Sequence, residues 1–124
     1  MAAEHVLVDG WVPVASWRAL EDVGVLTALV AAALAGDATV LDGRVISLPD
    51  PKRSKPDSPP GGTAWVGLDE SHVTLHWYDG EDRVRFALDA FTCGDMANPS
   101  RIVDAFLQRL PGAFSDRKSL VRTI

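Results

Sequence analysis

The chain has 124 residues, with 12 Lys and Arg against 17 Asp and Glu and a formal net charge of −5. That length holds one domain with one modest core, and the acidic balance excludes a general phosphate-backbone binder, which needs clustered cations. The single cysteine, Cys93, excludes an intramolecular disulfide and a cysteine-rich zinc site.

Hydrophobic residues at 47% and charged residues at 23% give the balance of a globular chain rather than a disordered one. The longest largely apolar stretch, 25–35, has 11 residues with Thr27 among them, well short of the ~20 that cross a bilayer. It follows Glu21-Asp22, where a secretion signal would carry positive charge. A cytoplasmic protein with neither a membrane nor a nucleic-acid partner is expected.

Along the chain, His5 to Val8 reads as a strand ended by Asp9-Gly10. Ser16 then caps a helix whose Leu20, Val23, Leu26, Val30 and Leu34 recur at spacings of three and four. Gly24 is a possible break in it, and Gly36 its stop. Asp42-Gly43, between the apolar runs 38–41 and 44–48, carries the signal of a hairpin. Residues 49–62 hold five of the eight prolines together with Lys52, Arg53, Lys55 and Gly61-Gly62. Proline cannot donate to a sheet ladder, so this segment is expected to be a mobile surface loop or a lid.

Strands follow at 63–68, 73–78 and 83–88, with Asp79-Gly80 as a turn. Asn98-Pro99 opens a second helix whose apolar stripe is Ile102, Val103, Phe106, Leu107 and Leu110. A last strand is expected at 119–122. This order predicts an α+β two-layer sandwich, a largely antiparallel sheet with helices on one face. In so short a chain the bare face is most simply covered by a second copy, so a homodimer with stacked sheets is expected.

Reactive side chains gather in Glu70-Ser71-His72-Val73-Thr74-Leu75-His76 and in Phe91-Thr92-Cys93-Gly94. On a strand, His72, Thr74 and His76 share one face. Residue type alone leaves several readings open: plain surface histidines, a zinc site of His72, His76 and Cys93, or a Cys93–histidine thiolate pair.

The first of these motifs, followed by Phe91-Thr92-Cys93-Gly94-Asp95, resembles the core of the prokaryotic S-adenosylmethionine decarboxylases. His5-Val6-Leu7-Val8-Asp9 is similar to that family's opening strand, and the resemblance spans most of the chain. It implies a proenzyme that cuts itself between Glu70 and Ser71 into residues 1–70 and 71–124. In that scheme Ser71 becomes a covalent pyruvoyl cofactor, which joins the substrate amine as a Schiff base and acts as electron sink when CO₂ leaves. His76 takes the Cα proton of Ser71 during processing, and Cys93 donates the proton that ends decarboxylation. Thr63, eight positions before Ser71, stands where the family has a processing hydroxyl. The resemblance further implies a small-molecule substrate, no metal, and a place in polyamine (spermidine) synthesis.

Two positions depart from the family. Gly80 stands where a glutamate usually holds the ribose, and Asp57 stands where an aromatic usually stacks on adenine. Trp11, Trp77 and Tyr78 are the aromatics available to compensate. A pyruvoyl enzyme acting on arginine or ornithine is therefore the alternative, with Asp9 pairing the cationic substrate. A non-processing homologue without activity is a third reading. Retention of Thr63, Ser71, His76 and Cys93 together speaks against it.

Overall fold

The computed structural model describes residues 1–94 and 97–124. Among these, six strands form one antiparallel sheet in the order β2-β3-β4-β5-β1-β6. They are β1 (Ala2–Pro13), β2 (Val40–Leu48), β3 (Gly61–Leu68), β4 (Ser71–Tyr78), β5 (Arg83–Cys93) and β6 (Phe114–Thr123). Helices α1 (Val14–Val23), α2 (Val25–Ala35) and α3 (Pro99–Leu107) cover one face, giving the expected α+β architecture.

Period-two burial aims one set of side chains at the helices. Val6, Val8 and Val12 of β1, Val73 and Leu75 of β4, and Phe86 and Leu88 of β5 are buried there. They meet Trp17 of α1, Leu29 and the small Ala28, Ala32 and Ala33 of α2, and Ile102, Val103 and Phe106 of α3. Each large apolar side chain so buried contributes roughly 1.5–3 kcal/mol. α3 starts as its sequence says: Asn98 accepts a hydrogen bond from the Arg101 N–H at 3.1 Å, and Pro99 takes the first turn.

Several boundaries differ from the sequence-based expectation, each for a tertiary reason. β1 runs through Asp9-Gly10 because it pairs continuously with β5 and β6 on its two sides. Gly10 is needed there for space, since a Cβ would lie 2.9 Å from the Phe86 ring and 2.3 Å from the Phe114 carbonyl oxygen. Asp42-Gly43 is not a hairpin either; β2 is one strand, because both flanks pair with the same neighbour, β3, around a bulge between Val40 and Asp42. Gly61 and Gly62 belong to β3, so the proline-rich loop spans 49–60 and not 49–62.

The helical region divides at Gly24, whose φ of 108° closes α1. Ser16 lies inside α1, with its hydroxyl donating to the Pro111 carbonyl at 2.7 Å, and Pro13 takes the cap position. At the end of α2 the left-handed residue is Asp37, with φ 64°, and not Gly36. Gly36 instead makes room for Ile102. β5 extends to Cys93 and β6 starts at Phe114, both longer than their sequence patterns indicate.

No helix among the described residues is long and apolar enough to cross a membrane. Among the described residues the sheet's second face has no helix on it. It carries Ile46, Trp65, Tyr78, Leu7, Trp11, Phe91, Phe114 and Leu120, all exposed or half-buried, beside the polar residues of the site.

Candidate active site

The strand register arranges the uncovered face in rows. One row crosses the sheet as Thr63, His76, Ala87, Asp9 and Asp116. Two positions along each strand is the row Trp65, Thr74, Asp89, Leu7 and Lys118. Beyond it lies Gly67, His72, Phe91, His5 and Leu120, with Cys93 one step further along β5.

The sequence-derived site residues fall into two pairs separated along the strands. Thr63 Oγ1 and His76 Nδ1 are 2.8 Å apart. With Nδ1 donating to that hydroxyl, Nε2 keeps its lone pair as a base. Apart from them, the Cys93 backbone N–H donates to Ser71 Oγ at 3.2 Å, and Cys93 is buried. Ser71 begins β4 and His76 lies five residues on, so about 17 Å of extended strand separates them. The chain thus unites hydroxyl with histidine and serine with cysteine, but not the two pairs with each other.

Glu70, just before Ser71, has φ 60° in the two-residue turn from Leu68 to Ser71. Asp95, the last residue of the second motif, lies outside the described residues.

Next to Ser71 and Cys93, Phe91 is walled by two imidazoles: His72 stacks at 5.4 Å and His5 meets it edge-on at 5.8 Å. The Arg122 guanidinium lies 5.4 Å from the same ring. Burial holds the His72 imidazole below its ordinary pKa; His5 adds to that, and Asp89 opposes it. Burial therefore disfavours the charged form of His72, the residue that follows the serine. Among the described residues no group of three or more His, Cys, Asp or Glu side chains is placed to hold a metal.

Beside the Thr63–His76 pair opens a cavity of about 520 Å³ lined by Asp9, Gly10, Pro59, Tyr78, Arg85, Phe86 and Ala87. Asp9 reaches it because its row also contains Ala87, the residue facing His76. Tyr78 and Arg85 are directly opposed in the sheet, and Pro59 brings the proline-rich loop to the rim. Arg85 and Pro59 were not singled out from sequence. The alternation of 83–88 put Arg85 on this face, but only the register shows what it faces.

A layered α+β domain whose hydroxyl, thiol and imidazole groups stand on the uncovered face of an antiparallel sheet is the class of protein that fold and site define. Its fold is similar to the crystal structure of the adenosylmethionine decarboxylase from Aquifex aeolicus, with a TM-score of 0.71 over 98% of this chain and 91% of that one, at 22% identity. Residues 4–123 match the family S-adenosylmethionine decarboxylase, and the chain belongs to it. The S-adenosylmethionine decarboxylase proenzyme of Brevibacillus brevis is 34% identical over 119 residues, covering 95% of this chain and 80% of that protein. That of Pyrococcus furiosus is 33% identical over 67 residues, covering 54% of this chain and 47% of that protein.

Proposed function

We propose that the chain is a self-cleaving, pyruvoyl-dependent decarboxylase of S-adenosylmethionine, working as a homodimer. The observation that carries this reading is the division of the site. Ser71 with Cys93 and Thr63 with His76 are separated along the strands by about 17 Å, too far apart for reaction within one chain. A second copy stacked by a two-fold axis brings each serine end against the partner's histidine end. The same stacking covers Leu7, Trp65, Phe91 and Leu120, whose exposure would otherwise be costly. The family membership and the proenzyme relatives support this reading.

Processing starts when Ser71 Oγ attacks the Glu70 carbonyl carbon. The new C–O bond replaces the C–N bond, the hydroxyl proton passes to the amide nitrogen, and an ester links the two halves. The Cys93 N–H, 3.2 Å from Oγ, fixes the direction of that oxygen. Nε2 of the partner's imidazole then takes the Ser71 Cα proton, while Thr63 Oγ1 of the same partner copy holds Nδ1. The Cβ–O bond breaks, and Glu70 leaves as a carboxylate. Water replaces the amino nitrogen of the new terminus, which departs as ammonia. The pyruvoyl group so formed supplies a ketone that takes up the substrate amine and accepts the electrons released with CO₂.

Cys93, adjoining Ser71, is the proton donor to carbon. Substrate recognition falls to the cavity beside His76, which stacking places against the partner's Ser71. There Tyr78 offers a ring to the adenine, and the Asp9 carboxylate accepts from the ribose hydroxyls or faces the sulfonium. These replace the aromatic and the glutamate that positions 57 and 80 lack.

Two measurements test the reading. Release of labelled CO₂ by the processed protein is expected from S-adenosylmethionine and not from arginine or ornithine; release from either amino acid alone contradicts it. Cys93→Ala is expected to cleave itself and then turn over about 10²- to 10⁴-fold more slowly. Full activity in that variant removes Cys93 from the proton-donor role.

A further inference from the structure

We propose that Glu70 promotes self-cleavage through its backbone: the fold holds it in a left-handed conformation that cleavage releases. This deepens the self-cleavage reading and rests on it. Glu70 has φ 60°, a region that residues other than glycine enter at a cost. Leu68 pairs with Ser71, so Asp69 and Glu70 alone bridge β3 and β4. Two-residue hairpins favour turns with positive φ at the first bridging residue, where backbone twist matches that of the strands. Here only the second, Glu70, has it.

The fold clamps the turn on both sides. The Asp69 N–H donates to the Thr39 carbonyl at 3.0 Å, tying the turn to the segment before β2. On the far side Ser71 Oγ is held by the Cys93 N–H. Neither clamp involves the Glu70 side chain, and that residue is exposed. Such over-determination is what keeps a strained residue in place. When Ser71 Oγ displaces the amide nitrogen from the Glu70 carbonyl carbon, the peptide link closing the turn is gone. Once Glu70 leaves as a carboxylate terminus, its φ is free to relax. Strain stored at the scissile residue therefore favours the ester and the cut chains over the precursor. Glu70 is a positioning residue, acting through the peptide bond it shares with Ser71.

The test follows the full chain made by cell-free translation, timing the loss of the 13.3 kDa precursor. Glu70→Gly, which adopts left-handed backbone freely, is expected to cleave about 5- to 30-fold more slowly than Glu70→Ala and Glu70→Gln. Those two keep the backbone cost without the carboxylate. In a Ser71→Ala background, which has no nucleophile, Glu70→Gly is expected to melt at a higher temperature than Glu70→Ala. Equal cleavage rates for glycine and alanine overturn the proposal, as does equal slowing of all three variants, which would assign the effect to the carboxylate. A wild-type chain that stays whole overturns the self-cleavage reading and this proposal with it.

Discussion

Replacing Ser71 with alanine is expected to leave one uncut chain of 13.3 kDa, however long the purified protein is incubated. No other group takes over. Thr74 stands in a different row of the sheet, and the Cys93 contact to the serine is made by its backbone N–H. Because Ser71 begins a strand at the surface of a hairpin, losing one hydroxyl leaves the packed core intact. The folded state should persist while cleavage disappears, as gel migration and circular dichroism together would show. Cleavage at the same bond in this variant would require a different nucleophile and would end the ester mechanism.

The second large effect follows from the separation along β4. His76→Ala alone should not cleave, since its dimers lack both bases. Ser71→Ala alone should not cleave either. Co-expressed, the two variants are expected to form mixed dimers in which the serine of one chain meets the histidine of the other. With random pairing, about half of the His76→Ala chains should then be cut, and none of the Ser71→Ala chains. Carrying different tags, the two chains are told apart on one gel. If neither chain is cut in the mixture, the base does not come from the partner, and the stacked arrangement is wrong.

The value and limits of the sequence pattern are visible in one dipeptide that occurs three times. Asp9-Gly10, Asp42-Gly43 and Asp79-Gly80 all carry the same local turn signal. Only the third lies in a connection between strands that pair with each other, β4 and β5. The first lies in a strand paired on both sides, and the second in a strand whose two flanks share one partner. Pairing is a tertiary fact that overrides local preference. By contrast, Asn98-Pro99 needed no distant partner to start α3, and its stripe predicted that Ile102, Val103 and Phe106 would be buried.

The site shows the same split. Thr63, Ser71, His76 and Cys93 were legible as residue types in a motif. Their division into two pairs was not, because it depends on the registers of β3 with β4 and on where β5 ends. The left-handed Glu70 was equally hidden, since glutamate carries no preference for that region. Asp9 was legible both as a turn residue and as a partner for a cationic substrate; the structure replaces the turn with continuous β1, where Asp9 lines the cavity with Tyr78 and Arg85.

Self-cleavage between Glu70 and Ser71 is the claim on which the rest depends, and the intact mass of the purified wild-type protein tests it most directly. The predicted result is two fragments, residues 1–70 and 71–124, the second lighter by one ammonia than a fragment beginning with serine. A single species at 13.3 kDa, unchanged on incubation, would contradict it.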